Sequence, residues 1–291
     1  MTLTHPDRVV YAELGFTKQD LAAYYLKVAP LMLPHIASRP LSLLRCPEGQ
    51  GGECFYQKHW TDATPGIKTV LIEESGGRRP YAVVTSASDL IGLVQYGVME
   101  FHTWQSRIDR IELPDQIILD LDPDPGVRWA EVCSAAVALR TLLADLKLKS
   151  WVKTTGGKGL HVVVPIQRRV TWEVASVFAR AVAERLAVEL PDHYVTVAAK
   201  AARKGRIFID HLRNSRGATA VAPWSVRARA GAPVAMPVRW ESLDRLKGGA
   251  ALSVADVGAL IRRRKLDPWA GMRGARQGIS SALVRVLRQR F

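Results

Sequence analysis

Apolar positions along the chain follow helical spacing in some segments and strand spacing in others, with turn residues between them. Residues 17 to 37 illustrate the helical pattern, because Leu21 and Tyr25 are followed by further apolar residues one turn apart. Thr17 precedes Asp20 by three positions, which is typical of a capping box at a helix N-terminus. This segment is therefore predicted to be a helix that begins near Thr17.

The same criteria divide the rest of the chain. Helices are predicted at residues 17–37, 88–97, about 128–147, about 172–189, about 253–264 and 278–290. Strands are predicted at residues 41–46, 69–74, 81–85, 99–104, 115–122, 150–155, 160–165 and 206–211, with a glycine-rich loop at 48–60. Because strands and helices do not alternate strictly, we predict an α+β (mixed α/β) fold, and without an obvious linker we expect a single domain over residues 1–291.

An acidic cluster follows the apolar run of the strand at 115–122. Asp120 and Asp122 lie two residues apart in a strand, so both side chains point to the same face. Two neighbouring carboxylates repel each other unless a cation lies between them, and Mg²⁺ prefers such oxygen ligands. We therefore predict that both bind metal at an exposed strand tip ended by Pro123. Asp124, between two prolines, is interpreted as a turn residue.

A further acid, Asp210, ends the apolar run of the strand at 206–211. Three carboxylates from two strands can hold a pair of metal ions for displacement at phosphorus. Asp210 could equally form an ion pair with Arg203, Lys204 or Arg206, and the sequence leaves both possibilities open.

The segment TTGGKGLH, residues 154–161, joins two predicted strands. Its glycines can adopt positive φ, so successive N–H groups could form an anion-binding nest, to which Lys158 adds a positive charge. It is not a Walker loop, since neither Ser nor Thr follows the lysine. A simple hairpin turn is the alternative, and His161 directly beyond it favours a phosphate or ribose contact.

Two further segments combine basic residues with groups suited to nucleotides or bases. Residues 213–229 follow Asp210 and carry several arginines, whose guanidinium groups match the oxygens of a metal-bound triphosphate; Arg229 is expected in a solvated hairpin. Phe55 and Tyr56 lie close to Lys58, a combination that suits stacking on bases along a phosphate track. Core packing is the alternative for the aromatic pair.

Charge and composition narrow the class of partner. The chain has 41 Lys and Arg against 27 Asp and Glu, a formal net charge of +14, which favours nucleic acid, nucleotides or an anionic surface. It contains no apolar run of the roughly 18 to 20 residues that a membrane-spanning helix needs, and its first residues lack a secretory pattern. The cysteines are odd in number and lack metal-binding spacing, so we expect no disulfide framework and a reducing, cytoplasmic setting.

These motifs together resemble one family. DLD at 120–122, TTGGKGLH at 154–161 and the series from Asp210 to Arg227 resemble the three active-site motifs of the archaeo-eukaryotic primase superfamily. Within it, the polymerase domain of bacterial DNA ligase D is the most similar group. PDRVVYAELGFTKQDLAAYY is similar to that domain's N-terminal signature and LDPWAGM to its ending, so the resemblance covers about residues 6–270.

The resemblance implies a fold and an activity. The implied fold has two packed lobes, with an RRM-like β-sheet that carries the carboxylates. The implied activity is a template-dependent nucleotidyl transfer with two Mn²⁺ or Mg²⁺ ions, using NTP or dNTP and favouring ribonucleotides. It fills gaps and extends ends at DNA double-strand breaks during non-homologous end joining, on DNA that carries a 5′-phosphate. Implied partners are ligase and phosphoesterase modules of the same polypeptide and Ku, in the bacterial cytoplasm near the nucleoid.

The resemblance also implies site residues, and several further basic and polar positions are predicted beside them. The predicted catalytic metal ligands are Asp120, Asp122 and Asp210. The predicted nucleotide-binding residues are His102, Lys153, Thr155, Lys158, His161, Asn214, Arg216 and Arg227. The predicted DNA-binding residues are Arg8, Lys18, Arg45, Phe55, Tyr56 and Lys58, where Arg8 stands for the family's usual Lys and Tyr56 for its usual Phe.

Part of the chain and part of the family's chemistry fall outside the resemblance. The chain has no Lys-x-Asp-Gly adenylation motif, so we expect no nick sealing by the usual ligase route. Residues 271–291 lie beyond the resemblance and are predicted to be a basic tail that could form an amphipathic helix. Alternatives to the polymerase are a primase that starts chains de novo, a two-metal nuclease, and a non-catalytic module that bridges DNA ends.

Overall fold

The computed structural model describes residues 3–60, 65–263 and 267–289. The helices are α1 Lys18–Ile36, α2 Ala87–Gln95, α3 Trp129–Asp145, α4 Trp172–Glu189, α5 Val254–Arg263 and α6 Ser281–Gln289. The strands are β1 Val9–Tyr11, β2 Phe16–Thr17, β3 Leu41–Arg45, β4 Phe55–Gln57, β5 Thr69–Glu74, β6 Gly77–Ala82, β7 Val98–Thr103, β8 Gln116–Pro123, β9 Trp151–Thr154, β10 Leu160–Pro165, β11 Tyr194–Val195, β12 Ile207–Asp210, β13 Ala220–Val221 and β14 Pro237–Val238.

The chain forms two compact units. Unit 1 contains the described parts of residues 1–109, 219–235 and 252–265. Its main sheet has the strand order β13-β7-β3-β4, and β1-β2 and β5-β6 form separate two-stranded sheets. Helix α1 contacts α2, and the predicted capping box is confirmed, since the Thr17 hydroxyl accepts from the Asp20 N–H while the Asp20 carboxylate accepts from the Thr17 N–H.

Unit 2 contains the described parts of residues 110–218, 236–251 and 266–291. Its six-stranded sheet has the order β11-β12-β8-β10-β9-β14 and is antiparallel except for the β11–β12 pair. Helices α3 and α4 contact each other and both contact β8, so they cover the same face of the sheet. Strand β8 supplies Ile117, Leu119 and Leu121 to the core, all fully buried. This alternation leaves Asp120 and Asp122 together on the opposite face.

Most predicted elements are confirmed, with small shifts at their ends. The strand expected at 81–85 instead covers Gly77–Ala82, because β6 pairs with β5 directly across a tight hairpin turn. The glycine-rich loop expected at 48–60 contains the short strand β4, which pairs with β3. The predicted tail helix is present as α6, and it packs against α4. The predicted ends of the last two helices at 264 and 290 lie outside the described residues.

The structure contains one disulfide, which the odd number of cysteines did not lead us to expect. Cys46 and Cys54 are joined by a disulfide, with their Cα atoms 4.3 Å apart. The register of β3 and β4 explains the pair, because Arg45 lies opposite Phe55 and the next residue on each side is a cysteine. Hairpin register, rather than a network of many cysteines, therefore sets this bond. Among the residues that the structure describes, no helix is long and apolar enough to cross a membrane.

Candidate active site

Four polar side chains form a row across the central strands of unit 2. Asp120 on β8 lies opposite Asp210 on β12 on one side and opposite His161 on β10 on the other. Lys153 on β9 lies opposite His161. Residues directly opposite each other in neighbouring strands point to the same face, so sheet register places all four together. We call these residues the polar row.

The exposure of the three acids differs. Asp120 and Asp210 have side chains only 13% and 11% exposed, whereas Asp122 is 50% exposed. The expectation of an exposed strand tip is therefore wrong for Asp120. Strand β12 does end at Asp210, as predicted, although this acid is buried there. Strand β8 pairs with β10 and β12 on its two sides, and these neighbours bury the residues at its centre.

Asp120 is held in its ionised form by surrounding cations and hydrogen-bond donors. Its carboxylate lies 3.4 Å from Nε2 of His161 and 3.4 Å from Nε of Arg213. Burial alone would raise the pKa of Asp120, but His161, Arg213 and Lys153 outweigh it and hold the pKa at about 2. Burial, with a contribution from Lys153, lowers the pKa of His161 to about 4, so this imidazole is neutral at pH 7.

The pKa of Asp210 is shifted in the opposite direction. Burial raises the pKa of its carboxyl group, and the charge of Asp120 adds to the effect, while Arg213 opposes it. Nε of Arg213 lies 3.2 Å from Asp210, and the N–H of Leu212 donates to the same carboxylate at 2.8 Å. Arg213 thus contacts Asp120 and Asp210 together, which joins the two acids of the row.

Asp122 pairs with an arginine that the sequence analysis had considered as a partner of Asp210. Nη1 of Arg203 donates to the Asp122 carboxylate at 2.8 Å, and the guanidinium lies 3.9 Å from the centre of the Phe208 ring. The antiparallel register explains this choice, because Phe208 lies opposite Asp122 and the chain entering β12 passes the same end of β8. Of the three basic residues considered as partners of Asp210, Arg203 thus pairs with Asp122 instead.

The donor atoms of the three acids fit a hard divalent cation, although their present contacts are with arginines. Within the described residues, no group of three or more His, Cys, Asp or Glu side chains is arranged to hold a metal ion. Carboxylate oxygens are the ligands that Mg²⁺ and Mn²⁺ prefer, and Asp120 is ionised at neutral pH. Metal binding by Asp120, Asp122 and Asp210 stays a prediction, and it requires a cation to compete with Arg203 and Arg213.

The glycine-rich turn between β9 and β10 is fixed by hydrogen bonds within unit 2. The Thr155 hydroxyl accepts from the N–H groups of Gly157 at 3.2 Å and Gly159 at 3.3 Å. The N–H of Gly156 donates to the carbonyl of Gly249 at 3.1 Å. The N–H groups of Gly156, Gly157 and Gly159 thus have partners within unit 2, and Thr155 stabilises the turn. Anion binding by this turn and a nucleotide contact of Thr155 stay predictions, and Lys158 is its exposed cation.

Backbone packing also holds this turn in place. A Cβ atom on Gly159 would overlap the carbonyl oxygen of Leu121, the residue between Asp120 and Asp122. A Cβ atom on Gly249 would lie 2.7 Å from the carbonyl oxygens of Gly157 and Gly159. Only glycine fits at these two contacts, so the turn is in direct backbone contact with the strand that carries the acids.

Three other predicted nucleotide contacts prove to have local partners. Asn214 is 1% exposed and its amide bonds to both backbone groups of Ile118, so it fixes β8, and its contact with a nucleotide stays a prediction. Lys153 is also fully buried, and its positive charge lowers the pKa of both Asp120 and His161. Arg216 forms a two-bond pair with Glu112 at 2.8 to 3.0 Å.

His102 and Arg227 lie in unit 1, where both contact a residue that the sequence analysis missed. The Glu100 carboxylate lies 2.8 Å from Nε2 of His102 and 2.9 Å from Nε of Arg227. Its position two residues before His102 in an otherwise apolar strand is the signal that could have identified it. Register adds that Val221 of β13 lies opposite His102.

The predicted DNA-binding residues also lie in unit 1. Arg8, Lys18 and Arg45 line one cavity of about 230 Å³, together with Cys46. Lys18 is mostly buried, and its ammonium group donates to the carbonyl of Thr4 at 2.8 Å. Burial lowers the pKa of Lys18, and the positive charge of Arg8 adds to this effect. Three cationic side chains around one small cavity suit a compact anion such as a phosphate.

The aromatic pair lies on the edge strand β4, and it is not part of the core. Phe55 is 43% and Tyr56 60% exposed, which excludes the core-packing alternative. The guanidinium of Arg45 lies 5.4 Å from the Phe55 ring centre, and the Tyr56 ring meets His102 edge to face at 5.3 Å. Lys58 forms an ion pair with Glu74 at 2.7 Å. The exposed rings suit stacking on bases, which stays a prediction.

Comparisons with known proteins identify the same family that the motifs resemble. Residues 17–269 match the family described as LigD, primase-polymerase domain. The chain is 41% identical over 287 residues to the multifunctional non-homologous end joining protein LigD of Pseudomonas aeruginosa, covering 98% of this chain and 34% of that protein. It is 35% identical over 244 residues to the protein of that name from Mycolicibacterium smegmatis, covering 83% and 32%. The chain thus spans about a third of the length of these curated relatives.

A solved structure supports the same relationship. The polymerase domain from Mycobacterium tuberculosis ligase D, in complex with DNA, matches with a TM-score of 0.84 and 33% identity, over 90% of this chain and 95% of that one. This match confirms the predicted α+β fold. A primase-polymerase family implies nucleotidyl transfer with divalent metal ions. Since both sequence and fold agree over most of the chain, the protein belongs to the LigD primase-polymerase domain family.

Proposed function

We propose that this protein is a template-dependent nucleotidyltransferase that fills gaps and extends ends at double-strand breaks in non-homologous end joining. The observation that carries the proposal is the set of three carboxylates on one face of β8 and β12, beside the Lys158 turn, in a chain of this family. Asp120 is ionised, which suits binding of a metal ion. The formal net charge of +14 favours phosphate-rich substrates.

The proposed metal ligands are Asp120, Asp122 and Asp210. Two Mn²⁺ or Mg²⁺ ions bound there would lower the pKa of a primer 3′-hydroxyl and neutralise charge on the triphosphate. The protein's own groups have complementary tasks. Asp120 stays ionised at neutral pH, and neutral His161 beside it can hydrogen-bond a phosphate or ribose oxygen without adding charge. Lys158 offers an exposed ammonium group to the triphosphate.

Unit 1 supplies further proposed contacts. His102 and Arg227 are proposed to contact the nucleotide, His102 near its sugar and Arg227 at its phosphates. Phe55 and Tyr56 are proposed to stack on template bases, which fits their exposure on an edge strand. From its resemblance to the multifunctional non-homologous end joining relatives, we propose that ligase and phosphoesterase modules and Ku act with it.

Recognition of a 5′-phosphate is proposed for the cavity lined by Arg8, Lys18 and Arg45. We expect Lys18→Met to weaken binding of a gapped duplex with a 5′-phosphate by about 10-fold to 100-fold, since a hydrogen bond to a charged group contributes about 1.5 to 3 kcal/mol. The affinity for the same duplex with a 5′-hydroxyl should hardly change. Titrating the protein into labelled duplexes, one with a 5′-phosphate and one with a 5′-hydroxyl, measures the difference.

Lys27→Met provides the matched control for this prediction. Lys27 lies on the same helix α1 but is exposed and does not line the cavity, so its loss removes the same charge from elsewhere. Lys27→Met should lower the affinity for both duplexes slightly and by the same factor. If Lys18→Met lowered the affinity for both duplexes equally, this cavity would not recognise the phosphate.

One extension assay tests the function as a whole. A gapped duplex with and without a downstream 5′-phosphate is incubated with NTP or dNTP and with Mn²⁺ or Mg²⁺, using Asp120→Ala as the inactive control. We expect templated addition that is stimulated by the 5′-phosphate, favours NTP and stops when the metal is chelated. Synthesis on an unprimed single strand would indicate a primase, and DNA binding without incorporation would indicate an end-bridging module.

A further inference from the structure

Glu100 is a buried carboxylate in the middle of β7, the second strand of the main sheet in unit 1. It is 2% exposed, and it has a bonded donor at each of its two oxygens. Oε2 lies 2.8 Å from Nε2 of His102 and 2.9 Å from Nε of Arg227. Oε1 accepts from the backbone N–H of Ala228 at 2.7 Å. One carboxylate therefore joins a strand residue to the segment that follows β13.

The chemistry of this cluster requires an ionised carboxylate. Burial alone would raise the pKa of Glu100, but His102, Arg227 and the N–H of Ala228 lower it below the usual range of a glutamate. A buried carboxylate that has lost its donors would be strongly unfavourable, so Glu100 and its partners stabilise one arrangement. Strand geometry contributes as well, because Glu100 and His102 are two residues apart and point to the same face.

We infer that Glu100 is a positioning residue that sets the orientation of His102 and Arg227 together. An ionised carboxylate can only accept, so Nε2 of His102 carries the hydrogen that it donates to Glu100. The same oxygen fixes Nε of Arg227 and thereby the plane of its guanidinium. The inference rests on the proposed function, in which His102 lies near the nucleotide sugar and Arg227 contacts the phosphates. Glu100 thus sets sugar selectivity and phosphate binding through one group.

The amide of glutamine cannot replace this carboxylate. If the amide oxygen faces His102 and Arg227, the amide NH₂ meets the N–H of Ala228, which is also a donor. If the amide is flipped, the NH₂ meets the Nε2–H of His102 and the Nε–H of Arg227. Either orientation leaves at least one donor without an acceptor. Glu100→Gln therefore changes the geometry of the cluster while it preserves side-chain size.

The test compares Glu100→Gln with the unaltered protein in primer extension on a gapped duplex. We expect the KM for NTP to rise about 10-fold or more, which corresponds to the loss of about one charged hydrogen bond. The ratio of kcat/KM for NTP over dNTP should fall, because it reports on the orientation of His102. The affinity for gapped DNA should stay within about twofold, since no proposed DNA contact involves Glu100. Glu184→Gln, which removes a carboxylate paired with the exposed Arg180 on α4, is the matched control and should change neither quantity.

A mutant cycle, in which His102→Ala and Arg227→Ala together form one of the two changes, separates positioning from a general effect on the fold. The effect of Glu100→Gln on the KM for NTP should largely disappear when His102→Ala and Arg227→Ala are already present, because coupled residues are not additive. Glu100→Asp keeps the charge and should restore part of the NTP over dNTP ratio.

An unchanged KM and sugar ratio in Glu100→Gln, or full additivity in the cycle, would overturn the inference. So would a loss of folding in both the Gln and Asp variants, since Glu100 would then serve the fold alone. If the unaltered protein itself fails to extend a primer, the proposed function is at fault, and this outcome is distinct from those.

Discussion

Replacing Asp122 by asparagine is expected to lower nucleotide incorporation by about 10³-fold while the fold and DNA binding persist. A metal ligand supplies several kcal/mol of transition-state stabilisation, and each 1.36 kcal/mol corresponds to a factor of about ten in rate. Asp122 is the sharpest choice among the three acids because its side chain is half exposed and its one ion pair is with Arg203 at the surface of the sheet. Asparagine keeps the size of the side chain and removes only its charge.

The neighbouring Asp124→Asn is the matched control for this prediction. Asp124 belongs to the same DLDPD cluster, but its carboxylate accepts from the N–H of Gly205 at 3.1 Å, as expected for a turn residue. Asparagine can still accept that bond, so this variant should keep near-normal incorporation. Both variants are measured by single-turnover extension over a range of Mn²⁺ concentrations, with DNA affinity measured in parallel. Near-normal extension by Asp122→Asn at every metal concentration would remove Asp122 from the proposed metal ligands.

The sequence predicted the acids because their signal is local. Alternation along β8 places Asp120 and Asp122 on one face, and an apolar run that ends in Asp210 identifies β12. Neither pattern predicts the register in which the two strands pair. The pairing of Asp120 with Asp210 and His161 depends on hydrogen bonds between distant segments, so it had to come from the structure.

A limit of sequence motifs is that a polar residue in a motif can bond to the backbone as well as to a ligand. Asn214 satisfies the backbone of Ile118, and the Thr155 hydroxyl satisfies N–H groups of the turn that follows it. Buried polar groups must find partners, and backbone groups are the nearest ones. Sequence spacing cannot distinguish the two uses, since both keep the residue in the motif. Glu100 shows the converse, because its partner Arg227 lies 127 residues away.

The turn at Gly159 leads to the second large effect that we expect. Gly159→Ala should lower the free energy of unfolding by about 3 kcal/mol or more, because forcing extra volume into a packed site usually costs about 1 to 3 kcal/mol and here the obstacle is backbone. The added Cβ would overlap the carbonyl oxygen of Leu121 and lie 3.3 Å from Cδ of Pro123. Both residues belong to β8, so neither can rotate away as a flexible side chain would.

To relieve this overlap the turn must move away from β8, so the substitution should affect catalytic activity as well as stability. Leu121 lies between Asp120 and Asp122, so a displaced turn shifts Lys158 relative to both acids. We therefore expect kcat/KM for NTP to fall by about 100-fold, since a misplacement of about 1 Å can have that effect. Gly126→Ala is the control, because its added Cβ meets no atom within 4 Å. Urea denaturation and extension kinetics measure the two effects. A Gly159→Ala protein with normal stability and normal kcat/KM would mean that the turn does not depend on its backbone contact with β8.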